Sequence, residues 1–173
     1  PTVNKESTRL FHFLASELCW IIEAGDVPTA FLPQEENLLS RTILMTAPDL
    51  TGVDPEWVMK LNKGDYRSND APMFWLYTKT NFMLTIPGVK QLVRDVCVFV
   101  WFNPESGQFE GMIIWHVDDF ESAGTEEFRI HVVRKVVARF KVPKLKRGEL
   151  TFCGIEMSQD LKTCVVTLGQ KKY

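Results

Sequence analysis

Asp118 and Asp119 follow a greasy run, Met112-Ile113-Ile114-Trp115-His116-Val117. A continuous stretch of this kind is expected to form a buried strand, which leaves two carboxylates side by side at its tip. Adjacent carboxylates repel each other unless a cation neutralises them. A third, Asp26, ends the apolar segment Trp20-Ile21-Ile22 and is followed by Val27-Pro28-Thr29-Ala30-Phe31-Leu32. Three acidic groups at strand ends, with few histidines and no cysteine pair nearby, make an all-oxygen set suited to a hard divalent ion such as magnesium. Phosphoryl transfer is the chemistry such a set serves. The same dipeptide also suits a plain hairpin turn, because aspartate favours turns and stays solvated. On that second reading Asp26 and Asp118 lie far apart in space, and the chain is a small α+β binding domain.

The elements that must position these groups can be read from periodicity. Leu10, Phe11, Leu14 and Leu18 have helical spacing over 5–19, with Ser7 or Thr8 as a cap. A short strand near 20–25 delivers Asp26. Thr42 to Met45 and Glu56 to Leu61 read as two more strands around a turn-rich loop. Asp70 and Pro72 open a helix carrying Phe74, Leu76, Tyr77 and Phe82. Val96 to Trp101 and Gly111 to Val117 are strong strands, joined by Asn103-Pro104-Glu105-Ser106-Gly107. A brief strand runs from Asp119 to Ser122. Thr125-Glu126-Glu127 then opens a helix to Phe140, acidic at its start and basic at its end. Leu150 to Met157 and Thr163 to Leu168 form a hairpin around Gln159-Asp160. This order gives an α+β fold, an antiparallel sheet with helices packed on one face.

Composition narrows the function classes. With 173 residues, 45% of them apolar, the chain can bury one proper core. No stretch is apolar for long enough to span a membrane. Cys19, Cys97, Cys153 and Cys164 are scattered in apolar surroundings, which reads as small buried hydrophobes in a reducing compartment. The net charge of −2 hides an asymmetry: residues 129–173 carry 11 Lys/Arg against 3 Asp/Glu, and residues 1–128 carry 9 against 19. The basic section suits a polyanion lying along it. It equally suits a solvated helix face. Pro1 lacks a preceding Met and Tyr173 closes no element, as in an excerpt from a longer protein.

Taken in order, the segments resemble the reverse transcriptase of copia-type LTR retrotransposons. Asp26-Val27-Pro28-Thr29-Ala30-Phe31-Leu32 is similar to the family's first catalytic motif, Asp-Val-Lys-Thr-Ala-Phe-Leu. The segment from Tyr66 through Ala71-Pro72 to Trp75 resembles its Tyr-Gly-Leu-Lys-Gln-Ala-Pro-Arg-Gln-Trp. Asp95-Val96-Cys97-Val98-Phe99-Val100 resembles the strand before the catalytic hairpin. His116-Val117-Asp118-Asp119 with Ala123-Gly124 matches Tyr-Val-Asp-Asp followed by Ala-Gly. Gly148-Glu149-Leu150, Phe152-Cys153-Gly154-Ile155-Glu156 and Gln170-Lys171-Lys172-Tyr173 follow the closing pattern.

The resemblance implies a polymerase palm-type domain over 1–173 with part of the fingers. It implies magnesium as a two-ion cofactor, with manganese able to substitute, held by Asp26, Asp118, Asp119 and the carbonyl of Val27. Thr29, Ala30, Phe31, Tyr66 and Arg67 then face the nucleotide, Phe31 under the sugar. His116, Lys141 and Lys144 face primer or template. Phe31 as core packing and His116 as a packed polar residue remain the plainer readings. Implied partners are primed RNA or DNA template, deoxynucleoside triphosphates, and flanking integrase and ribonuclease H domains, with no membrane. The implied location is a cytoplasmic virus-like particle. The chain departs from the pattern at Arg67-Ser68-Asn69-Asp70, where relatives have Gly-Leu-Lys-Gln. That exchange adds bulk and removes positive charge near a triphosphate. Pro28 replaces a lysine and His116 a tyrosine. These changes support an alternative: a non-catalytic, decayed or co-opted palm acting as a nucleic-acid-binding or interaction module.

Overall fold

The computed structural model describes residues 2–28, 30, 43–46, 52, 54, 56–61 and 71–170. In chain order the elements are α1 (Lys5–Glu17), β1 (Ile21–Asp26), β2 (Ile43–Thr46), β3 (Val58–Leu61), α2 (Ala71–Leu84), β4 (Val89–Gln91), β5 (Val98–Phe102), β6 (Phe109–His116) and β7 (Asp119–Gly124). There follow α3 (Glu126–Phe128), a π-helical turn (Arg129–Val133), α4 (Arg134–Phe140), β8 (Glu149–Phe152), β9 (Ile155–Gln159) and β10 (Val166–Gly169). They form two compact units, Pro1–Pro28 with Thr80–Tyr173, and Thr29–Lys79. In the second, β2 and β3 pair antiparallel, Ile43 opposite Leu61 and Thr46 opposite Val58. These are the two strands expected there.

The first unit is built on a five-stranded antiparallel sheet, ordered β1-β7-β6-β5-β4. The expected strands are present; β4, three residues at the edge, is an addition. The apolar run 112–115 is the buried centre of β6, with Ile113, Ile114 and Trp115 at zero exposure. α1 begins at Asn4 rather than Ser7 or Thr8: the Asn4 Oδ1 accepts the Ser7 amide at 2.7 Å. Thr125 caps the later helix by accepting from the Phe128 amide at 3.2 Å. One wide π turn interrupts that helix.

Strand alternation shows where the helices lie. Side chains at 119, 121 and 123 share one face of β7, and 120, 122 and 124 share the other. His12 on α1 meets Glu121 at 2.9 Å, which places α1 on the odd-numbered face. Phe128 lies against Gly111 and Gly124, and the Trp115 ring contacts Phe120 and Phe140, on the other face. The helices therefore sandwich the sheet. This corrects the expectation of helices on one face: both faces of β7 and β6 are apolar enough to need cover.

Two further expectations are corrected. The tail is a three-stranded meander, ordered β10-β9-β8, rather than one hairpin. The run 150–157 breaks at Cys153 and Gly154, both in left-handed backbone (φ 51° and 76°), a conformation that reverses the chain. Cys19 and Cys164 form a disulfide; the buried Cys97 and the exposed Cys153 take no part in one. The chain folds back so that two cysteines separated by 145 positions meet, which no local pattern could reveal.

Gly111 and Gly124 are required by the helix. A Cβ on Gly111 would fall 2.1 Å from the Phe128 ring. Gly111→Ala is expected to cost about 2 kcal/mol by overpacking and to lower the melting temperature by roughly 5 °C, measured by circular dichroism.

Candidate functional site

The sheet brings the three sequence-flagged carboxylates together. Asp26, last residue of β1, is the cross-strand partner of Asp119, first residue of β7. The Val27 amide donates to the Asp118 carbonyl at 3.0 Å. That bond marks Asp26 and Asp119 as a non-hydrogen-bonded pair, the arrangement in which facing side chains approach most closely, with Cα atoms about 4.5 Å apart. On its other side Asp119 pairs with His116. Asp26, Asp119 and His116 thus form a row across three strands, with Asp118 in the turn above. The reading that placed Asp26 far from Asp118 is excluded by this register.

The turn itself is strained. Only Val117 and Asp118 link β6 to β7, and Val117 has φ 55°. A two-residue hairpin needs such a conformation and normally fills it with Gly or Asn. A β-branched residue there stores on the order of 1–3 kcal/mol.

Electrostatics carry the same mark. The Asp119 carboxyl is held above its ordinary value, first by burial, then by the charges of Asp118 and Asp26. His116 and Lys146 pull it partly back. Like-charged groups this close favour a bound proton or a counter-cation, and the carboxylates offer hard oxygen donors. Among the described residues no group of three or more His, Cys, Asp or Glu side chains is arranged to hold a metal ion. The backbone register nevertheless brings the three aspartates to one end of the sheet.

The whole chain, residues 1–173, matches the family model described as reverse transcriptase (RNA-dependent DNA polymerase). The chain belongs to that reverse transcriptase family. It is 29% identical over its full length to the "Retrovirus-related Pol polyprotein from transposon RE1" of Arabidopsis thaliana. Identity to the corresponding polyprotein from transposon RE2 of the same plant is 26%, again over the full chain. The chain spans about 11% of the length of each of these relatives. No solved structure matches it. The resemblance to copia-type elements is borne out.

The remaining expected contacts of this reverse transcriptase domain are distributed as follows. His116 is half-buried, its ring edge-on to Phe152 at 6.1 Å. Lys141 ends α4 in left-handed backbone (φ 53°) and is exposed, as is Lys144. Ala30 is buried; Thr29, Phe31, Tyr66 and Arg67 lie outside the described residues. Two neighbours of the carboxylates escaped the sequence reading. One is Lys146, whose charge reaches Asp119. The other is Cys153, whose thiol is pushed up to about 12 by partial burial, with Glu121 and Asp119 adding to the effect. Both come from the segment after α4, and only tertiary pairing returns that segment to β1 and β7.

The raised Asp119 value has a stability consequence. A carboxyl with a folded value above its unfolded one favours folding fully below the unfolded value and loses that contribution as pH rises through the folded value. At neutral pH the ionised Asp119 therefore opposes folding. Asp119→Asn in chelator at pH 7 is expected to raise the melting temperature by about 2 °C, allowing for solvent screening. The gain should shrink below the ordinary aspartate range, as a calorimetric pH series will show.

Proposed function

We propose that this chain is the RNA-directed DNA polymerase domain of a copia-like retrotransposon polyprotein, adding deoxynucleotides to a primer 3′ end. The observation that carries the reading is the pairing of Asp26 with Asp119 beside Asp118 at the end of a β1-β7-β6 sheet. Asp26 and Asp118 are the main magnesium ligands in this reading, Asp119 completes the negative cup, and the Val27 carbonyl is a further donor. Two bound magnesium or manganese ions would supply charge neutralisation for the attacking 3′-oxygen and the departing pyrophosphate. The chain's own contribution is to hold the carboxylates on a rigid three-strand frame, so that little reorganisation accompanies the reaction.

His116 is placed by this reading at the primer end, and exposed Lys141 and Lys144 along the template–primer backbone. Thr29, Ala30, Phe31, Tyr66 and Arg67 are assigned to the incoming nucleotide. The unit Pro1–Pro28 with Thr80–Tyr173 is the palm, and Thr29–Lys79 is part of the fingers. Flanking integrase and ribonuclease H domains complete the parent polyprotein, working in a cytoplasmic virus-like particle.

The runner-up, a palm that has lost catalysis and serves as a nucleic-acid-binding or interaction module, is favoured by Arg67-Ser68-Asn69-Asp70, with its lost glycine and lysine. Primer extension on the full-length parent separates the two. The polymerase reading expects magnesium-dependent extension that drops to background, a loss of about a thousandfold or more, in Asp26→Asn and in Asp118→Asn. Equal background incorporation by parent and variants would establish the relic.

A further inference from the structure

Among the described residues β1, which carries Asp26, lies at the edge of its sheet with β7 as its neighbour. Its outer edge is met by the Gln159 side chain and the Lys146 backbone. The Gln159 side chain accepts from the Ile22 amide at 2.8 Å and donates to the Trp20 carbonyl at 2.9 Å. Lys146 forms a two-way backbone bridge with Ala24: the Ala24 amide donates to the Lys146 carbonyl at 3.0 Å, and the Lys146 amide donates to the Ala24 carbonyl at 2.8 Å. Cross-strand partners share a face. Ala24 lies two residues from Asp26, so Lys146 stands on the carboxylate face. Glu23 and Arg147, one step away on each segment, belong to the opposite face.

On that opposite face Glu23 is only 4% exposed, at the wall of a cavity of about 280 Å³. Its Oε1 accepts from Arg147 Nε at 2.8 Å, from Arg147 Nη2 at 2.5 Å and from Arg129 Nε at 3.2 Å. Arg129 is itself braced by Glu126 through Nη1 at 3.0 Å. Glu23 is buried while both arginines stay partly exposed, so desolvation of the carboxylate offsets much of the attraction; the best-attested use of such a pair is to fix register. The 146–147 segment meets the β1 backbone through this two-bond bridge, and Gly148 after it accepts from the Gln159 amide at 2.8 Å. The ion pair adds a side-chain constraint on the far face of β1.

We propose that Glu23 is a positioning residue: by gripping Arg147 on the far face of β1 it fixes the register of the 146–147 segment and so holds the Lys146 ammonium beside the carboxylate cup. This rests on reading Asp26, Asp118 and Asp119 as a divalent-cation site. The pull of the Lys146 charge on Asp119 fits the placement. A fixed ammonium there competes with bound cations and keeps their affinity modest.

The test is manganese binding to the purified chain, followed by electron paramagnetic resonance for wild type, Glu23→Gln, Lys146→Met and the double variant. Lys146→Met is expected to tighten manganese binding roughly fivefold, the effect of removing one charge at close range in a wet site. Glu23→Gln should reproduce most of that gain, and the double variant should gain nothing beyond Lys146→Met. Arg147→Met, altering the more exposed partner, should behave like Glu23→Gln and carries the test if the buried change prevents folding; Arg147→Lys should restore wild-type affinity. Wild-type affinity in Glu23→Gln and Arg147→Met, or gains that simply add in the double variant, would overturn the inference alone. Manganese binding indifferent to Asp26→Asn and Asp118→Asn would instead remove the site on which both readings depend.

Discussion

The crowding of Asp26, Asp118 and Asp119 at one end of the sheet is the constraint on which the site geometry depends. Antiparallel pairing forces the first and third into facing positions, and a two-residue turn presents the second beside them. Two features of this arrangement oppose folding: the raised Asp119 carboxyl and the left-handed Val117. Such costs are tolerated where surrounding structure over-determines the geometry. Here the surrounding structure is a sheet packed on both faces, with Trp115 and Phe120 beneath one side and α1 across the other.

The weak point of that frame is the edge strand. Among the described residues β1 has one sheet neighbour, yet it holds Asp26 in register with Asp119. Its outer edge is secured from the C-terminal side by the Gln159 amide, the Lys146 bridge and the Glu23–Arg147 pair, and the Cys19–Cys164 disulfide ties down the residues just before it. The same C-terminal segment turns at Cys153-Gly154 next to Asp119. Residues remote in sequence therefore both brace the acidic strand and shape the space above it. This links the stability of the meander to the placement of the three aspartates.

Much of the site was legible because its elements announce themselves locally. A buried run ending in two aspartates can only present them at a strand tip, and the segment order suggested which strand brings the third. Sequence could not show what depends on long-range folding. The separation of α1 from the α3–α4 helix onto opposite faces follows from the parity of Glu121 and Gly124 on β7, which needs the register. The break at Cys153-Gly154 is hidden because a cysteine at positive φ has no sequence signature. Lys146 is one basic residue among several in its segment, and nothing local marks Glu23. Each acquires meaning only through its partner across β1.

Anomalous scattering from a crystal of the domain grown with manganese locates the ion without assuming its ligands. Manganese is expected within about 2.0–2.3 Å of carboxylate oxygens from both Asp26 and Asp118, with Asp119 alongside. Asp26 and Asp119 found on opposite faces of the sheet, or manganese bound only elsewhere, would contradict it.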